Sequence, residues 1–188
     1  MARIIAIVEG QTEQTFVRDL LAPELGSRGA YITARLVGHP GHKGGFRNYD
    51  RPRREIVNLL KEDSGTYVTT MFDLYALPSD WPGRQEYRDL PYPDRVESLE
   101  RATHEDITSR LPPDLLHDRF IPYIQSHEFE ALLFSYIATL DSVFPGSGIQ
   151  DDLTGILREF GNPEAIDDDP ETAPSRRVLK PLPRYRED

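Results

Sequence analysis

The sequence predicts an α/β fold, with a mainly parallel central sheet of about four strands, helices on both faces and a helical C-terminal part. Three observations predict it. Ile4, Ile5, Ala6, Ile7 and Val8 form an unbroken, largely β-branched run, which suits a parallel strand buried on both sides. Strand-like and helix-like patterns then alternate along the chain, as they do in strand–crossover–strand units. Finally, two of the β-rich runs stop at an acid: Val8 is followed by Glu9, and Phe72 by Asp73.

The first run ends in Glu9 and Gly10, whose permissive backbone allows a sharp exit from the strand. Thr12 can cap the helix that follows, where Phe16, Val17, Leu20 and Leu21 recur on one face before Pro23. Tyr31 to Val37 alternates as a second strand with Ile32, Ala34 and Leu36 on one side, expected beside the first. Gly38 to Tyr49, GHPGHKGGFRNY, is a glycine-rich loop carrying Lys43 and Arg47. It could meet phosphates through main-chain amides and Lys43, although flexibility is the commoner use of such loops. His39 and His42 do not read as a zinc site, because Pro40 and Gly41 separate them and the chain has no cysteine.

Pro52 to Asp63 predicts a helix with Ile56, Val57, Leu59 and Leu60 inward, closed by Ser64 and Gly65. Thr66 to Phe72 is a third strand. Right-handed crossovers would make these strands parallel and bring Glu9 and Asp73 to one edge of the sheet, with Glu13 one helical turn away. Like charges there repel unless a cation lies between them, so oxygen ligands to Mg²⁺ or Mn²⁺ are one reading. The structural alternative is that Glu13 favours a helix N-terminus and Glu9 is solvated in a turn. A phosphate-cradling P-loop is a poor fit, since one glycine followed by acids lacks the lysine and the donors.

Leu74 to Pro93 is rich in proline and carries Trp81, Tyr75, Tyr87 and Tyr92, so an ordered loop over the strand ends is expected. Its aromatic rings could stack on bases, with packing of the loop as the other explanation. Arg95 to Leu111 reads as a charge-rich helix with a sparse apolar stripe of Val96, Leu99 and Ile107. Phe120 to Ile124 is a short fourth strand, and Pro122 places it at an edge. In QSHEFEALLFSYI, Gln125 to Ile137, Ser126 can cap a helix. Glu128 and Glu130, two apart, point in nearly opposite directions there; Glu128 shares a face with Leu132 and is the stronger candidate ligand. His127 is a candidate proton-transfer group, set against an incidental histidine at a helix start. Leu153 to Phe160 is a last helical pattern. The expected organisation is one α/β domain over 1–160 and an extended tail over 161–188, where proline and charge dominate.

The chain has 188 residues, no cysteine and a formal charge of −10. No disulfide framework and no thiolate chemistry is open to it, and the first apolar run is too short for a signal peptide or a membrane span. A cytoplasmic protein with no membrane association is expected. So acidic a chain should bind nucleic acid only weakly on its own, through a local patch such as the early group Arg47, Arg51, Arg53 and Arg54.

Read together, VEGQTEQTF, TTMFDLYALPSDWPG, YIQSHEFEALLFS and the late ETAPSRR resemble a family of prokaryotic TOPRIM-like proteins found in defence loci beside an ABC or OLD-type ATPase. The resemblance runs nearly end to end. It implies a TOPRIM-like sheet in which a glutamate after the first strand and an Asp-x-Asp pair after a later one hold Mg²⁺. Glu9 matches that glutamate, Asp73 the first aspartate, and Glu13 the additional acid that OLD nucleases carry one turn on. Tyr75 stands where the second aspartate would be, and Glu128 is the proposed substitute. The family continues past ETAPSRR, so the 161–188 tail is expected to be truncated relative to it.

The function expected from these readings is a metal-dependent nuclease serving as effector of an ATPase-linked defence system. Glu9, Glu13, Asp73 and Glu128 would hold Mg²⁺ or Mn²⁺, Lys43 would neutralise a substrate phosphate, and Lys43 with Arg47 would contact nucleic acid. A homo-oligomer fits such a system. The rival is a catalytically silent TOPRIM-like module that binds or regulates its ATPase, and a phosphatase or nucleotide hydrolase using the same acids is a third reading.

Overall fold

Strand β1, Ala2–Val8, pairs in parallel on both sides, with β2 (Ala30–Leu36) and with β3 (Thr66–Asp73). Its burial on two faces follows: Ala6, Ile7 and Val8 are all closed to solvent. The computed structural model describes residues 1–37, 46–85, 87, 90, 94–115, 118–126, 137 and 145–160. It divides into two compact units, Met1–Gln125 and Ser126–Asp188. The first unit holds a five-stranded parallel sheet, ordered β2-β1-β3-β4, with β4 (Phe120–Ile121) and β5 (Ile124–Gln125) both against β3. The single fourth strand expected over Phe120 to Ile124 is therefore two short ones. Pro122, which cannot donate to a ladder, falls in the break between them, at the edge of the sheet. Thr70 bridges the gap: its hydroxyl accepts the Tyr123 N–H and donates to the Tyr123 carbonyl, each at 2.9 Å.

The helix after β1 runs as α1 (Gln11–Phe16), a π-helical turn (Val17–Leu21) and α2 (Ala22–Ser27). It passes through Pro23 rather than stopping there. The wide turn, in which the Ala22 N–H reaches the Val17 carbonyl, makes room for a proline whose ring would strike the preceding turn of a regular helix. The extra width also rotates the inward face. Val17 is 1 % exposed but Leu20 is 62 % exposed, against the expectation that both face the sheet. Thr12 lies inside the helix, and Gly10 is the residue that precedes its first turn.

Reversal of direction along the strand order, β1 to β2 and then across to β3, puts α1–α2 and α3 (Asp50–Glu62) on opposite faces when both crossovers are right-handed. On the α3 face Ile7, Val68 and Phe72 of the sheet share one core with Ile56 and Leu60 of α3 and Leu99 and Ile107 of α4 (Asp94–Thr108). Trp81, from the proline-rich loop, belongs to this core. Its ring lies 4.6 Å from that of Tyr49, and its indole N–H donates to Thr103 Oγ1 at 2.8 Å. Buried Arg119 donates to the carbonyls of Leu60, Asp63 and Thr66, each at 3.0 Å, and so satisfies the carboxyl end of α3. In the second unit α5, Ile149–Phe160, starts four residues before the expected Leu153, with Ile149 and Leu153 buried. Among the described residues no helix is long and apolar enough to cross a membrane. The expected tail, 161–188, lies outside the described residues.

Candidate functional site

In a parallel sheet all strands end on one rim, and ligands gather where the strand order reverses. Here the reversal lies between β1 and β3. Val8 pairs with Met71, so Glu9 leaves β1 level with Phe72 and one residue short of Asp73, at the carboxyl ends of both strands. The two predicted positions are thus brought together. Their contact runs from side chain to main chain: the Glu9 carboxylate accepts a hydrogen bond from the Asp73 N–H. The other Glu9 oxygen, Oε2, is buried and has no hydrogen-bond partner among the described residues.

Glu13 stands in the first turn of α1 and accepts the Gly10 N–H at 2.8 Å through Oε2, one half of a capping box. A Cβ added to Gly10 would sit 2.9 Å from that same oxygen, so the close return of Glu13 favours a residue with no side chain. Burial raises the pKa of Glu9 above its ordinary value; the Asp73 amide opposes this, and the Glu13 charge adds to it. Both pressures favour whatever neutralises Glu9, whether a proton or a cation.

A hard divalent cation takes carboxylate oxygens, and a half-buried carboxylate with one closed-off, unpaired oxygen beside a second acid fits part of such a shell. The three acids do not form a cage by themselves. Among the described residues no group of three or more His, Asp or Glu stands ready to hold a metal ion. The physical reason is local, since Glu13 caps its own helix and Glu9 meets the Asp73 main chain. Glu128, with His127 and Glu130, lies outside the described residues, as does Lys43. Arg47 is described and exposed, just ahead of α3 on the same rim.

Sequence reasoning missed three groups that shape this rim. Glu100 of α4 accepts the Ile124 N–H at 2.9 Å and so holds β5, whose Gln125 pairs with Asp73. Asp80 accepts the Tyr49 N–H at 3.1 Å and fixes the approach to α3. The Tyr123 hydroxyl donates to the Gln125 side-chain oxygen, which keeps a buried amide satisfied beside the strand ends. Spacing does not announce the first two, because each pairs a side chain with the backbone of a residue distant in sequence; Tyr123 and Gln125 are only two apart, but a polar pair at that spacing does not show that the amide is buried.

The fold and rim define a mainly parallel α/β protein with two acids, Glu9 and Asp73, at neighbouring strand ends where the strand order reverses. A family model described as "Domain of unknown function (DUF4276)" matches residues 8–187, and the chain belongs to that family. Comparisons with curated proteins and with solved structures return no match.

Proposed function

We propose that this chain is a metal-dependent, TOPRIM-like nuclease that hydrolyses phosphodiester bonds and serves as effector of an ATPase-linked prokaryotic defence system, working in the cytoplasm with an ABC or OLD-type ATPase. The observation that carries the reading is the Glu9 carboxylate at the switch point, with one oxygen on the Asp73 amide and the other buried without a partner. Glu9 and Asp73 would hold Mg²⁺ or Mn²⁺, with Glu13 beside them. Such an ion supplies an activated water and charge stabilisation at a phosphodiester. The Asp73 N–H keeps Glu9 oriented, and the closed surroundings of Oε2 exclude competing water from that oxygen. Lys43 and Arg47 would neutralise substrate phosphates.

Titration calorimetry with Mn²⁺ combined with plasmid nicking tests this. Wild type is expected to bind Mn²⁺ and to nick, whereas Glu9→Ala and Asp73→Ala lose binding and at least about a hundredfold in rate, the scale of removing a transition-state charge stabiliser. Nicking that survives both substitutions would sink the reading. A second reading is favoured by the absence, among the described residues, of a three-acid group and by Tyr75 at the place of a second acid. In it the chain is a silent module that binds or regulates its ATPase, and wild type would neither bind Mn²⁺ nor nick.

A further inference from the structure

Building on the rim as a phosphodiester site, we infer that it engages an unpaired nucleic-acid strand, with Tyr75 as the platform for one base and Arg47 and Arg51 as contacts to the strand's phosphates. Tyr75 follows Asp73 by two residues, in the 3-10 turn Leu74–Ala76. Its neighbours Leu74 and Leu77 are 7 % and 4 % exposed, while Tyr75 is 61 % exposed. The turn is therefore pinned from below and presents a large ring outward. A ring held this way loses little freedom when a base stacks on it.

The two arginines reach the same place by a separate route. Phe46 sets its ring 4.9 Å from that of Phe72, the residue before Asp73, and 5.6 Å from that of Trp81. Arg47 is thus one residue from an anchor at the end of β3. Tyr49, tied through its N–H to Asp80 and through its hydroxyl to Asp106 at 3.0 Å, fixes the start of α3 and with it Arg51. Asp50 is already paired with Arg53 and Arg54. Arg47 and Arg51 are exposed and make no ion pair among the described residues, a local positive charge on a chain of net −10. A charged track beside an exposed aromatic ring is how proteins hold single strands, whose bases have free faces. A duplex hides those faces in its own stack, which is why the unpaired strand is the better fit.

Fluorescence anisotropy of the full chain in EDTA, with labelled single-stranded DNA, single-stranded RNA and a duplex of the same sequence, tests the inference apart from cleavage. Either single strand is expected to bind more tightly than the duplex. Tyr75→Ala should weaken single-strand binding about tenfold, within the range for one stacked base, and Tyr75→Phe should stay near wild type. Arg47→Ala with Arg51→Ala should weaken both substrates and flatten the salt dependence by about 0.7 logarithmic units per lost phosphate contact on a single strand. Absence of binding, preference for the duplex, or Tyr75→Ala indistinguishable from wild type would overturn it. Binding with these properties but no nicking would instead remove the nuclease reading and leave the strand-binding rim standing.

Discussion

Three glutamates of the first unit each give an oxygen to a main-chain amide: Glu9 to Asp73, Glu13 to Gly10 and Glu100 to Ile124. Glu9 and Glu13 were legible in the sequence because they follow a strand that ends abruptly in acid. Glu100 was not, since in a helix full of charge every acid reads as solvated until a neighbouring strand is laid against it. Burial, with a smaller contribution from Glu97, raises the Glu100 pKa above its ordinary value of 4.5, while the Ile124 amide pulls the other way. The folded protein then holds this proton more tightly than the unfolded chain does. The stabilisation is complete below the unfolded value and is lost as pH rises through the raised folded one. Glu100→Gln keeps an acceptor for the Ile124 N–H and removes the charge. It is expected to melt about 2–4 °C above wild type near pH 8, a gap that closes toward pH 4; a calorimetric pH series checks it.

At the scale of elements, the strands and α3 were readable from periodicity, and the discrepancies cluster where one residue changes the backbone. Pro23 is absorbed by a π-helical turn that sends Leu20 outward, and Pro122 splits one strand into two. A 3.6-residue period cannot foresee a wider turn, and a propensity scale cannot foresee that the Thr70 hydroxyl would span the break. Arg119 is the other case. In sequence it is one more charge before Phe120, yet its guanidinium joins the end of α3 to the start of β3 through three carbonyls. Arg119→Leu is expected to cost about 3 kcal/mol in urea unfolding, because it removes three hydrogen bonds to buried main chain, while the Asp63 carbonyl keeps a second donor in the Thr66 N–H. Arg119→Lys should recover only part of this, as an ammonium lacks the planar fork that spans them.

Over the whole molecule, the fold class was recoverable because the hydrophobic pattern and the crossover rule agree, and membership of the DUF4276 family covers residues 8–187. The candidate site was recoverable only in part, because register brings Glu9 to Asp73 while side-chain direction decides what they touch. The core on the α3 face includes Trp81, the only tryptophan, so its emission reports on that core as one body. Ile107→Ala, a cavity beneath α4, is expected to remove about 2–5 kcal/mol and to move the single Trp81 unfolding transition to lower urea without changing its slope. The strand order has one more consequence, in time rather than space. Made first during synthesis, β1 ends up in the middle, and its second neighbour is two crossovers away along the chain. A nascent chain can finish β1 and β2 and still lack the amide that orients Glu9. The rim therefore becomes competent only once β3 has docked, and an incompletely made protein carries none of the proposed chemistry.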